Sequence, residues 1–343
     1  MTPRVSLIVP NWNGSRHLPT CFESLRAQRF RDFETVLVDN ASTDGSVALV
    51  RSRFPEVRII RLETNTVFCG AVNTGIRQTT TELVALLNND TEADPDWLAE
   101  LVSNADEHPD VGWFASKLLL FDRRDTLHSA GDEFGLDGVP ANRGVWEQDF
   151  GQYDDVVDVF GACGGAVLYR RSLLDDIGLF DEEFLGYCED VDLNFRARLR
   201  GHRCRFVPRA RVYHHLSATG GGPQASYLCG RNFLFVLVKD LPTAIWRRHW
   251  WRIARAQAAI ATHALRHLRQ PAARARVRGQ LAALTHLPRL LRARREIQEQ
   301  RMIDDDRLEA LLLAPSPPPW RQRRPHAPTS VGLDRRHLWW PLD

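Results

Sequence analysis

The chain has 343 residues, 43% of them hydrophobic, enough for one large α/β domain with an appendage. Six scattered cysteines form no C-x-x-C pair and no zinc-finger spacing, which excludes a disulfide-stapled module and fits a reduced, cytoplasmic chain. Formal net charge is only +2, but between Asp240 and Asp304 the only acids are Glu296 and Glu299 among many arginines, so the positive charge belongs to the C-terminal third.

In chain order, Val5 to Val9 reads as a first strand; it is too short for the apolar region of a signal peptide. Leu18, Phe22 and Leu25 have helical spacing. Thr35 to Val38 reads as a strand ending in Asp39, Ser46 to Phe54 as a helix, and Val57 to Leu62 as an alternating strand. Gly70 to Arg77 is expected as a helix, and Leu83 to Leu87 as a nearly unbroken apolar strand that ends in Asn88, Asn89 and Asp90. Alternating strands and helices imply a mostly parallel sheet with helices on both faces. From Trp113 to Asp158 the pattern is less regular, and Gly131, Gly135, Gly138 and Pro140 suggest loops and hairpins. Order returns at Val156 to Phe160 and Gly161 to Arg170.

A helix is expected to start near Glu189 and stop at Gly201, because Val191, Phe195 and Leu199 share one face. Cys204 to Val207 and Arg211 to Tyr213 read as short strands around Pro208. Beyond Pro242, Trp246, Trp250, Ile253, Ile260, Ala264 and Leu268 recur at helical spacing, with Arg248, Arg252 and Arg255 on another face. Leu281, Leu284, Leu287 and Leu291 extend that pattern past Pro271. The division is a catalytic domain over 1–240, a basic amphipathic helical extension over 241–313 and a disordered Pro/Arg-rich tail over 314–343.

Polar residues collect where strands end: Asn11 and Asn13, Asp39 and Asn40, then Asn88 to Asp90. Any one group alone is ordinary turn chemistry. Three together suit one crevice outside the carboxyl ends of the strands, where open α/β sheets bind ligands.

Four segments, Ser6 to Gly14, Val38 to Ser46, Leu86 to Thr91 and Gly178 to Leu193, stand in the order and spacing of the motifs of family-2 glycosyltransferases, and the chain resembles that family over roughly residues 4 to 240. Within it the likeness is to rhamnosyltransferase-like and galactofuranosyltransferase-like enzymes of bacterial cell-surface glycan assembly. The resemblance implies a GT-A fold, a Rossmann-like, mostly parallel sheet flanked by helices, and an inverting transfer from a nucleotide-diphosphate sugar to a glycan or lipid-linked hydroxyl. The donor it suggests first is dTDP-rhamnose, UDP-sugars next.

Cleaving a sugar from a diphosphate puts charge on the leaving phosphate, which a divalent cation stabilises. By resemblance Asn88-Asn89-Asp90 fills the D-x-D position, with Asp90 as a ligand of Mg2+ or Mn2+ and Asn88 beside the ribose or metal; the first carboxylate of the pattern is replaced by Asn88. His214 matches the histidine that completes the metal site, in preference to its neighbour His215. The acceptor hydroxyl must lose a proton, which calls for a carboxylate base within hydrogen-bond reach. The resemblance assigns this to Asp190, with Glu189 holding the acceptor; at the start of a helix the dipole would keep such a carboxylate ionised. First-turn acids are also an ordinary helix-start preference. Pro10, Asn11, Asn13, Asp39 and Asn40 are assigned to the nucleotide, as are Gly70 and Asn73 in the segment Thr64 to Asn73, which serves equally well as a helix cap. Asn89 completes that set, and Arg231 after a glycine-rich stretch is assigned to the diphosphate.

For residues 246–301, arginines with Trp246, Trp250 and Trp251 suggest a peripheral contact with the cytoplasmic face of a membrane; a helical hairpin packed on the catalytic domain or a dimer contact fits the same pattern. Nucleic acid is not expected, because no motif accompanies the arginines. The competing reading is a catalytically silent, membrane-associated nucleotide-sugar-binding scaffold. Asn88 favours it, and the presence of both Asp90 and Asp190 opposes it.

Overall fold

The computed structural model describes residues 3–215 and 221–312. The expected tail over 314–343 lies outside the described residues, as does Gly220 of the glycine-rich stretch. The first half alternates as its periodicity requires: β1 (Val5–Asn11), α1 (Leu18–Arg26), β2 (Phe33–Asp39), α2 (Ser46–Arg53), β3 (Arg58–Arg61), α3 (Val67–Arg77), β4 (Leu83–Leu87), β5 (Thr91–Ala93) and α4 (Trp97–Glu107). Then come β6 (Val111–Leu120), β7 (Arg123–Ser129), β8 (Asp132–Phe134), β9 (Pro140–Asn142), β10 (Asp158–Val159), β11 (Ala166–Arg170), α5 (Arg171–Ile177), a 3-10 turn at Glu182–Phe184, α6 (Glu189–Leu199) and β12 (Arg203–His214). Four helices follow α7 (Gly222–Lys239) among the described residues: α8 (Thr243–Arg266), α9 (Pro271–Thr285), α10 (Leu287–Glu299) and α11 (Asp305–Leu311).

One sheet runs in the order β10-β12-β6-β11-β4-β1-β2-β3, with β5 beside β12 and β7 beside β6. Strands β4, β1, β2 and β3 are mutually parallel, and β11 enters antiparallel between β4 and β6. Both sheet faces are covered: Ile8, Val36, Val84 and Trp113 belong to one buried cluster, Leu7, Leu37, Ala85 and Phe114 to the other. The period-2 alternation thus supplies two cores on one set of strands.

Two regions depart from the expectations. Val111 to Leu120 is a ten-residue strand with every residue buried, not part of an irregular excursion. Its apolar residues, interrupted at Ser116 and Lys117, carry no period, and its neighbouring glycine-rich hairpins read as loops. The residues around Pro208 form one strand, β12, because a register shift between Val207 and Arg211 lets it continue past the proline.

Helices α9 and α10 lie against α7. A Cβ on Gly279 would sit 2.1 Å from the Tyr227 carbonyl oxygen, and one on Gly230 would sit 2.6 Å from that of Arg276, so α7 and α9 meet backbone to backbone. Arg294 on α10 donates to the Val238 and Leu241 carbonyls, capping the end of α7. No described helix is long and apolar enough to cross a membrane.

Candidate active site

The parallel strands end level with one another, with Asn11 opposite Asp39 in the β1–β2 register. Their polar ends are wired together. Asn89 Nδ2 donates to Asn11 Oδ1 (2.7 Å), Asn11 Nδ2 donates to Asp39 Oδ1 (3.1 Å), and the Ser42 amide donates to Asp39 Oδ2 (3.2 Å). Asn13 joins from the loop: its amide donates to Ser42 Oγ, and its Oδ1 accepts from the Thr43 amide. Pro10 lies within β1, half-buried, one residue before this network. Asn40 bonds to Asn65, Thr66 and Val67, ordering the segment that leads into α3.

The Asn88 to Asp90 turn is joined to the start of α6 through two glycines. The Asn88 amide donates to the Gly165 carbonyl (2.9 Å), and the Gly164 amide donates to Asp190 Oδ2 (2.9 Å). A Cβ on Gly165 would lie 3.4 Å from Asn88 Nδ2, and one on Gly164 would lie 3.6 Å from Asp190 Oδ2. These adjacent glycines therefore have the Asn88 amide on one side and the Asp190 carboxylate on the other.

Around Asp90, His214 Nε2 lies 3.1 Å from Asp90 Oδ1, with both side chains buried. On its other side, His214 Nδ1 lies 3.1 Å from His128 Nδ1. His215 points elsewhere, stacking on Phe121 with ring centroids 3.5 Å apart, although its amide donates to the Asp90 carbonyl. Among the described residues no group of three or more His, Cys, Asp or Glu side chains is arranged to hold a metal ion by itself. Asp90 and His214 offer one hard oxygen and one imidazole nitrogen, a donor pair that suits Mn2+ or Mg2+ only if phosphate oxygens and water complete the shell.

At the start of α6, Glu189 and Asp190 are both buried. Burial pushes the Glu189 carboxyl well above the usual carboxylate range, and the neighbouring Asp190 pushes it the same way. Burial also raises Asp190, opposed by the Gly164 and Val191 amides that hydrogen-bond its ionised form. The helix N-terminus therefore does not hold Asp190 at an ordinary value, as its position alone suggests; desolvation outweighs it. Two adjacent acids pushed upward unequally can divide the work, one keeping a proton while the other takes one. Glu189 Oε2 has no hydrogen-bond partner among the described residues.

The chain entering α6 is held in an unusual conformation, with positive φ at Leu185 (66°), Tyr187 (63°) and Cys188 (65°). Asn232 Nδ2 donates to the carbonyls of Phe184, Gly186 and Tyr187, and Arg231 Nη2 donates to those of Glu183 and Phe184. Asn73 fastens the preceding stretch, exchanging hydrogen bonds with the Phe180 backbone. Gly70 packs against the Thr66 side chain. The structure thus brings Asn11, Asp39 and Asn89 into one network and Asn88, Asp90, Asp190 and His214 into the neighbouring one. Asn73 and Arg231 are engaged with the loop before α6. Sequence reasoning missed His128 and the Gly164-Gly165 bridge, for a lone histidine at a strand end carries no signal of its own.

Residues 6–178 match the model of the family described as Glycosyl transferase family 2. The O-antigen biosynthesis protein RfbC of Myxococcus xanthus is 33% identical over 239 residues, 66% of this chain and 18% of that protein. An uncharacterized Sinorhizobium fredii protein is 30% identical over 64% of this chain and 25% of its own length, so the match spans only a quarter or less of these two relatives. The N-acetylglucosaminyl-diphospho-decaprenol L-rhamnosyltransferase of Mycobacterium tuberculosis is 26% identical over 77% of this chain and 93% of its own. Among solved structures, S. aureus TarS 1-349 in complex with UDP-GlcNAc superposes with a TM-score of 0.53 at 21% identity, covering 90% of this chain and 84% of that one. The Pyrobaculum calidifontis mannosyltransferase PcManGT, in complex with GDP-Man and Mn2+, gives 0.52 at 19%, covering 87% and 88%. These structural neighbours fix the fold as GT-A. On its motifs, its fold and the matched family model, the chain belongs to glycosyltransferase family 2.

Proposed function

We propose that this family-2 glycosyltransferase is an inverting, metal-assisted enzyme that moves a sugar from a nucleotide diphosphate to a hydroxyl of a cell-surface glycan or lipid-linked acceptor. The observation that carries the reading is the Gly164-Gly165 bridge, which ties the Asp90 turn to the Asp190 carboxylate. dTDP-rhamnose is the first donor to test, supported by the relative named as an L-rhamnosyltransferase; UDP-sugars come next.

In this reading Asp190 takes the proton from the acceptor hydroxyl as its oxygen attacks the anomeric carbon. Glu189 Oε2, buried and without a hydrogen-bond partner among the described residues, holds the acceptor in place. Direct displacement with a single base inverts the anomeric carbon. Asp90 and His214 would hold Mg2+ or Mn2+, which supplies charge neutralisation to the departing diphosphate. The network of Asn11, Asn89 and Asp39 receives the nucleoside, with Pro10, Asn13 and Asn40 shaping its walls. Asn88 lies toward the ribose. Gly70, Asn73 and Arg231 complete the pocket by holding the segments that border it.

The C-terminal helices would rest on the cytoplasmic face of the membrane, where lipid-linked acceptors are found. Trp250 and Trp251 on α8 and Leu281 and Leu284 on α9 are exposed on helices that also carry many arginines, an apolar and cationic combination suited to the headgroup zone.

A thermal-shift screen of nucleotide-diphosphate sugars with Mn2+ or Mg2+ tests the donor reading, because a ligand bound only by the folded state raises the melting temperature. One donor is expected to stabilise the wild type in a cation-dependent way, and Asp90→Ala is expected to lose that dependence. Unchanged donor affinity in Asp90→Ala would count against the metal site.

A further inference from the structure

His128 is buried, stands outside every motif that marks the family in this sequence, and faces the one imidazole of the cation site. Its direction comes from a local irregularity. In the antiparallel β6–β7 pair, Leu118 opposes Ser129 and Leu119 opposes Leu127, so His128 is the extra residue of a β-bulge. Such a bulge re-aims one side chain out of the strand's alternation. Here it turns the ring toward the end of β12, placing its Nδ1 3.1 Å from Nδ1 of His214.

We propose that His128 is a positioning residue for the cation site: it accepts the Nδ1 proton of His214 and thereby presents the His214 Nε2 lone pair to the ion held beside Asp90. The inference rests on the metal reading given above. A hydrogen bond between two ring nitrogens holds one proton, so the two imidazoles carry complementary tautomers. With no ion, His214 donates from Nε2 to Asp90 Oδ1, 3.1 Å away, and its bare Nδ1 accepts from His128. With an ion on Nε2, the proton of His214 must lie on Nδ1, and the acceptor is His128 Nδ1. Loading therefore moves the shared proton from His128 to His214, releases the Nε2 proton of His214 to solvent by way of Asp90, and takes one proton from solvent onto Nε2 of His128, with no net release. The imidazole pair carries two ring protons before and after. A ligand histidine with its second nitrogen so engaged is fixed in both rotamer and tautomer.

The test is Mn2+ binding to the full chain, followed by electron paramagnetic resonance with UDP or dTDP present, for wild type, His128→Asn, His128→Phe and His214→Ala. Asparagine keeps an acceptor near the position of Nδ1 and is expected to bind Mn2+ within about threefold of wild type, while phenylalanine is expected to weaken binding by about 10–100-fold. Wild-type affinity in His128→Phe, alongside loss in His214→Ala, would overturn the positioning role and leave the metal site standing. Absence of Mn2+ binding by the wild type would remove the metal reading and this inference with it. Should His128→Phe fail to fold, 15N-histidine resonances of wild type with Mg2+ and UDP decide: a proton on His128 Nε2 is expected, and one on Nδ1 would overturn the proposal.

Discussion

Glu189 and Asp190 are adjacent carboxyls in one desolvated pocket, and only Asp190 is furnished with a backbone amide from outside its own helix, that of Gly164. Charging Glu189 there costs more than in water, so the fold binds its proton up to a higher pH than the unfolded chain does. Above the ordinary carboxylate pKa of about 4.3 and up to that raised value, the unfolded state carries fewer protons, and stability falls as pH rises. Glu189→Gln removes the penalty. Its melting temperature is expected to exceed that of the wild type by about 2–5 °C at pH 8 and by much less at pH 4.5, as read by calorimetry. An equal difference at both pH values would mean that Glu189 is not destabilised by its charge. The candidates Asp90, Asp190 and His214 could be picked from the sequence because each stands in a motif, and the structure sets His214 beside Asp90. Their electrostatics were not legible in the sequence, because helix position argues for an ionised Asp190 whereas burial, a property of the assembled fold, raises it.

At the scale of elements, α7 is the part on which the site leans. It supplies Arg231 and Asn232 to the loop before α6, and the adjacent Gly230 to the contact with α9. A side chain at Gly279 meets the Tyr227 carbonyl, a backbone atom that cannot swing aside, so the helices must part. Gly279→Val is expected to lower the melting temperature by roughly 2–6 °C. It is also expected to speed hydrogen exchange over residues 183–188, whose positive-φ conformation depends on α7. Unchanged exchange in a destabilised variant would show that the clamp is independent of α9. The helices beyond Pro242 were legible from periodicity, whereas α7 was not read as a helix. The engagement of Asn73 and Arg231 was not legible either, since their carbonyl partners lie 107 and 48 positions away along the chain.

For the whole molecule, the parallel half of the sheet could be read in advance because each strand there alternates or ends in a polar group. The antiparallel half could not, because β6 has no period and β11 joins the sheet from a distant part of the chain. Among the C-terminal helices, α10 caps α7 through Arg294, while Trp250 on α8 and Leu281 and Leu284 on α9 are exposed. Replacing the exposed Trp250, Leu281 and Leu284 together by serine leaves the α7–α9 contact intact and is expected to reduce flotation with anionic liposomes about tenfold. Equal flotation would exclude these helices as the membrane contact. The claim on which the functional reading turns is that Asp190 is the base in a crevice shared with Asp90. Its most direct measurement is sugar transfer beside donor binding by calorimetry for Asp190→Asn: transfer is expected to vanish while donor affinity stays within about threefold, and transfer near the wild-type rate would contradict the assignment.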